Sequence, residues 1–358
     1  MRTAFVCNTP YQLFNLLNLF ANNLENTDNN TDLFIVDRFR GAKKVYKTVL
    51  DLELFNSVFI VTPKEHSSGH LKDRLLKINK SDIGFSEFEL SSDKFLNVQY
   101  QQVFIGDAMP FGVNLCRYNK EASVIAYEDG IGYYYGDFLH DTFGGIKQKL
   151  KRVLKIGRYG IFVDKFYVNK KTMCESTVAK EIVQLPEWNN KNPAISIVNQ
   201  VFKYKDDTLV KTKKYIFFDR PYSESLKYNN LNPEVLLVKC DIQDNALIRV
   251  HPRSSAKYNL VDVDYGENIW ELECINNITD NHVLIGDFSL AQANPKLIGN
   301  KEPFLIFVYK LFYDGLTIEE IDNYEKQIDI VRKLYSDKNK IYVPQDMTEF
   351  KTIIMNFM

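Results

Sequence analysis

The stretch Thr3-Ala4-Phe5-Val6-Cys7-Asn8-Thr9-Pro10-Tyr11-Gln12 decides the fold. Its first five residues form a short apolar run that reads as a buried first strand. Asn8-Thr9-Pro10 then turns the chain and starts a helix. Thr9 is suited to cap its amino end and Pro10 to occupy its first position. Leu13, Leu16, Leu17 and Phe20 follow at helical spacing. Residues 33–36 read as a second strand, 42–54 as a helix and 58–61 as a third strand. Strands alternating with helices predict a parallel sheet with crossover helices. Ligands of such sheets sit at the carboxyl ends of the strands, where Asn8-Thr9-Pro10 lies. The turn is therefore either a binding loop or a plain helix cap.

Further along, residues 64–100 are polar and mixed, with a helix expected near 71–78. A strand at 102–105 is followed by Gly106-Asp107-Ala108, and one at 123–126 runs into Tyr127-Glu128-Asp129-Gly130-Ile131-Gly132. From Phe143 a helix is expected with Ile146, Leu150, Val153 and Leu154 on one face. Lys147, Lys149, Lys151, Arg152 and Lys155 occupy the other, with Arg158 just beyond. A basic amphipathic helix can lie on an anionic membrane surface, or be a solvated helix packed on the sheet. Residues 161–168 read as the last strand of the first half. The polar, Asn/Lys-rich stretch 187–213 carries the domain boundary, set between 190 and 191. A second strand series follows. Residues 215–218 end at Asp219-Arg220-Pro221, 247–250 lead into His251-Pro252-Arg253, and 283–285 lead into Gly286-Asp287-Phe288-Ser289. A strand at 304–307, a long helix at 318–335, a strand at 340–343 and a terminal helix at 347–357 complete the chain. The fold class is α/β, in two halves, 1–190 and 191–358, each a parallel sheet flanked by helices.

Composition narrows the functional classes. At 358 residues, with 45% hydrophobic and 25% charged residues, the chain suits two soluble globular domains. A formal net charge of -1 argues against a nucleic-acid partner. The 25 Phe and 21 Tyr read as packing residues. Five scattered cysteines without CxxC spacing fit a reducing compartment rather than a zinc site or disulfide framework. No signal peptide is recognisable, and the longest apolar run falls well short of the roughly 20 residues of a membrane span. These features read as a cytoplasmic protein.

Two motifs carry candidate chemistry. Asp129, on a glycine-rich turn after a strand, can take a proton from a hydroxyl nucleophile, or simply bond its own turn. Glu128 is its partner or competitor; strand alternation points the two in opposite directions, so one of them faces a ligand. Gly130 lets the backbone turn tightly and a ligand approach. His251 can donate a proton to a leaving phosphate, Pro252 fixes the chain direction, and Arg253 can add a charge contact; a structural histidine is the alternative. Ser289, at a helix start, can bind a phosphate oxygen or act only as an N-cap. Asp262-Val263-Asp264 has the Asp-x-Asp form of a metal motif, but reads as a strand or loop beyond the histidine. No Gly-x-Gly-x-x-Gly or P-loop is present.

In their order along the chain, Cys7-Asn8-Thr9-Pro10-Tyr11-Gln12, Tyr127-Glu128-Asp129-Gly130-Ile131-Gly132, His251-Pro252-Arg253 and Phe288-Ser289 resemble the bacterial sialyltransferases. The resemblance is nearest to glycosyltransferase family 52, the lipooligosaccharide and capsule sialyltransferases. It implies a GT-B architecture, two Rossmann-like domains with parallel sheets facing a central cleft, the first on the acceptor side and the second on the donor side. It also implies a CMP-sialic acid donor, a glycan acceptor, no essential metal and a homodimer. Asp129 would be the base, with Asp219 in reserve because related enzymes differ in which aspartate serves. His251 would be the general acid or a phosphate ligand, and Ser289 would bind the CMP phosphate. Thr9, Pro10, Glu128, Gly130, Pro252 and Arg253 would complete the substrate contacts. The implied reaction is a single inverting displacement through an oxocarbenium-like state. Competing readings are a GT-B transferase with another nucleotide-sugar donor and a non-catalytic glycan-assembly protein.

Overall fold

The computed structural model describes residues 1–26, 30–64, 85–134, 139, 153, 157–220, 227–229, 231–251 and 253–357. Its contacts divide the chain into two compact units, Met1–Phe202 and Lys203–Met358.

The first unit is built on eight strands: β1 (Thr3–Cys7), β2 (Thr31–Val36), β3 (Ser57–Pro63), β4 (Phe88–Leu90), β5 (Gln102–Ile105), β6 (Ser123–Tyr127), β7 (Val163–Val168) and β8 (Ala179–Gln184). They lie in the order β4-β3-β2-β1-β5-β6-β7-β8. Every neighbouring pair is parallel except β3 with β4. The central strands β1, β2 and β5 are buried along their whole length, as near-continuous apolar runs in a parallel sheet must be. Crossovers are made by α1 (Pro10–Ala21), α2 (Ala42–Asp51) and α3 (Pro110–Tyr118), while α4 (Ala194–Phe202) closes the unit. Much of the phenylalanine content is core: Phe34 stacks on Phe59 at 4.8 Å and meets Phe95 edge-on at 5.2 Å.

The second unit has six strands: β9 (Tyr215–Phe218), β10 (Ala246–Arg249), β11 (Asp262–Asp264), β12 (Val283–Gly286), β13 (Phe304–Phe307) and β14 (Ile341–Tyr342). Their order is β11-β10-β9-β12-β13-β14, parallel throughout. Its longer helices are α5 (Pro233–Val238), α6 (Trp270–Asn276), α7 (Leu290–Gly299), α8 (Ile318–Leu334) and α9 (Met347–Met355). In both units the chain extends the sheet to one side of its first strand and then returns to the other side. The reversal leaves a topological switch point between β1 and β5 in the first unit and between β9 and β12 in the second. Crevices at the carboxyl ends of such strand pairs are where open α/β sheets bind ligands.

Several expectations are corrected. The unit boundary falls at 202/203 rather than 190/191, because α4 packs back onto α1 and α2. The strand at 161–168 is not the last of its sheet; β8 follows it at the edge, where Ala179-Lys180-Glu181-Ile182-Val183-Gln184 lacks the apolar run of a central strand. The helix expected over 42–54 ends at Asp51, and Glu53 turns to φ 50. The helix expected near 71–78 lies outside the described residues, as do Pro252 and almost all of the basic helix expected from Phe143. No helix among the described residues is long and apolar enough to cross a membrane.

Candidate active site

At the switch point of the first unit, Thr9 follows β1 and caps α1. Its Oγ1 accepts from the Gln12 N–H at 3.1 Å, and Pro10 takes the first helical turn. The same hydroxyl donates its proton to Asp129 Oδ1 at 2.9 Å. The two readings of the Asn8-Thr9-Pro10 turn thus meet in one side chain. Asp129 is half-buried, and the amino end of α1 offers it partial positive charge. It lies on the turn after β6, where Gly130 adopts φ 111, a left-handed conformation that favours glycine.

Glu128 has the opposite fate. It is fully buried, and its carboxylate accepts from Tyr11 Oη, from Tyr134 Oη at 2.5 Å, and from Asn169 N and Nδ2, each at 2.6 Å. Its assignment as a substrate-binding residue is therefore corrected: it fastens β6 to α1 and to the loop after β7.

A third carboxylate, Asp107, follows β5 across the switch point. It is buried and accepts from Asn8 Nδ2 at 3.0 Å, Gln12 Nε2 at 2.9 Å and Met109 N at 3.0 Å. Burial holds its pKa above the usual range, against the opposing pull of these bonds and of Arg38. The Tyr133 phenol is also pushed upward, by burial first and then by Asp129 and Asp107.

In the second unit, Asp219 follows β9. It is 4% exposed, and its Oδ1 accepts from Tyr258 Oη at 2.8 Å while Oδ2 is buried without a hydrogen-bond partner among the described residues. Burial and then Asp219 raise the Tyr258 phenol. Across the switch point, Asp287 follows β12 and is bound by Arg220 Nη1 at 2.5 Å and Tyr313 Oη at 2.8 Å. Burial works to lower the Arg220 pKa, but Asp287 outweighs it and holds the guanidinium above its ordinary value.

His251 lies just beyond β10, half-buried. Its Nδ1 accepts from the Arg253 N–H at 3.1 Å. That bond uses the Nδ1 lone pair, which assigns the proton of the neutral ring to Nε2 and makes that atom a donor. Arg253 itself is exposed. Ser289 caps α7 in a capping box: Oγ accepts from Ala291 N at 3.2 Å, and Gln292 Oε1 accepts from Ser289 N at 3.1 Å. The cap uses a Ser289 lone pair and leaves its hydroxyl proton to be donated. Histidine, hydroxyl and the amino end of a ten-residue helix all lie at the carboxyl edge of one sheet, the chemistry an anionic leaving group requires.

Asp262 pairs with Lys213 at 2.5 Å, and Asp264 with Arg249, so both carboxylates of the Asp-x-Asp sequence are tied to bases. Among the described residues no group of three or more His, Cys, Asp or Glu side chains is arranged to hold a metal ion. Sequence reading missed Asp107, Asp287, Arg220, Tyr258 and Tyr313. The available signal was the Gly-Asp pair directly after a strand in each half, Gly106-Asp107 and Gly286-Asp287.

This fold is the two-domain α/β fold of the GT-B glycosyltransferase structures. It is similar to the GT-B domain of a sialyltransferase from Photobacterium damselae, with 10% identity, 96% of this chain and 100% of that chain covered, and a TM-score of 0.50. It is also similar to a UGT from Arabidopsis thaliana complexed with UDP, with 8% identity, coverage of 100% and 91%, and a TM-score of 0.52. A putative UDP-N-acetylglucosamine 2-epimerase from Listeria monocytogenes aligns at 8% identity, coverage of 100% and 87%, and a TM-score of 0.47. No protein-family model matches the sequence. No curated protein matches it either.

Proposed function

We propose that the chain is an inverting glycosyltransferase that moves sialic acid from CMP-sialic acid to a hydroxyl of a bacterial surface glycan, capsule or lipooligosaccharide. The observation that carries this reading is the separation of two adjacent carboxylates. Glu128 is buried and saturated, while Asp129 comes to the ligand-binding edge of its sheet on the capping hydroxyl of Thr9. Asp129 is the base that accepts the proton of the acceptor hydroxyl. His251, through Nε2–H, and Ser289 at the start of α7 neutralise the phosphate of the departing CMP. That neutralisation is supplied by protein groups, so the reaction proceeds without a metal. Asp219, buried and held by Tyr258, positions the donor-side edge rather than serving as the base.

The motif resemblance supports CMP-sialic acid as donor. The likeness to a UDP-bound structure keeps a uridine nucleotide-sugar as the competing donor. Thermal unfolding of the protein titrated with CMP, UDP and GDP separates the two. Binding to the native state raises the melting temperature by mass action. CMP is expected to protect at concentrations where UDP and GDP do not; protection by UDP and none by CMP defeats the sialyl reading.

A further inference from the structure

At the carboxyl edge of the first unit is a cavity of about 70 Å³, lined by residues including Asn8, Arg38, Lys64, Glu87, Met109 and Phe111. These residues extend the edge from the end of β1 past β2 to β3. At roughly 10–15 Å³ per water, the space holds a handful of waters or one small charged group, and is far too small for a whole sugar ring.

Two cations stand on it. Arg38 is exposed; Nη1 contacts Met109 Sδ at 2.7 Å, a weak acceptor. Lys64 is also exposed, and Nζ donates to the Ser86 carbonyl at 3.0 Å. Neither forms an ion pair among the described residues. Glu87 supplies one carboxylate on the lining against these two positive charges.

Asn8 supplies an independent observation. It is 5% exposed, and its Oδ1 is buried without a hydrogen-bond partner among the described residues. Asp107 takes the amide nitrogen at 3.0 Å, so the carbonyl oxygen is the end left unsatisfied. An acceptor buried to this degree is of the kind that an ordered water satisfies. Asn8 is also the neighbour of Thr9, which holds Asp129.

We propose that this pocket receives an anionic substituent, a carboxylate or a phosphoryl group, carried by the acceptor glycan. Arg38 and Lys64 bind the charge. The proposal rests on the acceptor-side reading of the first unit and names the acceptor class: an acidic glycan, not a neutral one.

Binding of small probes tests it without any donor. Saturation-transfer NMR titrations of the whole chain compare methyl β-glucuronide with methyl β-glucoside, and glucose 6-phosphate with glucose. At least one acidic probe is expected to bind tenfold or more tightly than its neutral partner. That advantage should be lost in Arg38→Ala and reduced in Lys64→Gln, both at exposed positions that do not endanger folding. A preference confined to the glucuronide assigns a carboxylate acceptor, and one confined to the phosphate assigns a phosphorylated acceptor. Equal binding of acidic and neutral probes, or a preference that survives in Arg38→Ala, overturns the proposal. Because no nucleotide is present, failure of the CMP-sialic acid reading leaves this result unchanged.

Discussion

Thr9 performs two tasks with one hydroxyl. Its lone pair closes the first turn of α1 and its proton orients Asp129. Gln12, one turn into the helix, reaches Asp107 with Nε2 and accepts the Asn8 N–H with Oε1 at 2.7 Å. The side chains of residues 8, 9 and 12 therefore tie the turn to Asp107 and Asp129. Gly106 makes this possible, since a Cβ there would lie 2.6 Å from Gln12 Cδ and 2.9 Å from Tyr127 Cε2. Gln12 and the Tyr127 ring are both fully buried, so neither can swing aside. Gly106→Ala is expected to destabilise the protein by about 1–3 kcal/mol, the usual cost of overpacking. Denaturant unfolding measures it, and a variant as stable as the wild type contradicts the packing described for this turn. The motif residues were legible as strand-end turns at the carboxyl edges of the sheets. The buried partners were not, since nothing local to Gly106-Asp107 or Tyr258 says which distant side chain will meet them.

Among the elements, the central strands and α1 were readable from apolar runs and helical spacing. β4 and β8 were not: both are edge strands whose polar residues break the run. In α4, apolar residues mark a helix, yet the surrounding polar sequence read as a linker, and only its packing on α1 and α2 assigns it to the first unit. In the second unit Glu302 joins three segments. It accepts from Lys296 of α7 at 2.5 Å and from the N–H groups of Ser336 and Asp337, beyond α8, at 2.8 and 3.3 Å. Burial would raise its pKa, but these bonds prevail and bring it down to about 2. A carboxylate lowered on folding adds stability that is present above its unfolded pKa, roughly 4.3, and is lost as pH falls toward the folded value. Glu302→Gln is therefore expected to be less stable than the wild type at neutral pH, with the gap closing as pH falls from about 5 toward about 2. Urea midpoints across that range measure this, and a gap that stays constant contradicts it.

At the scale of the whole molecule, two units repeat one plan. Each has a mainly parallel sheet that reverses direction beside its first strand and a Gly-Asp pair at the end of the strand across the reversal. No repeat is visible in the sequence, because the shared feature is strand order, which many apolar sequences satisfy. The proposed division of roles uses this plan: Asp129 follows a strand of one unit, and His251 and Ser289 follow strands of the other. The measurement that tests the central claim most directly is CMP release from CMP-sialic acid, with and without a glycan acceptor, by the wild type and by Asp129→Asn, His251→Ala and Asp219→Asn. Acceptor-dependent release is predicted for the wild type. Asp129→Asn should lose it by about 10²-fold or more while keeping acceptor-independent hydrolysis, and His251→Ala should lose both by a similar factor. Asp219→Asn should retain substantial transfer. No release by the wild type contradicts the account outright, and near-full transfer by Asp129→Asn with loss in Asp219→Asn moves the base to Asp219.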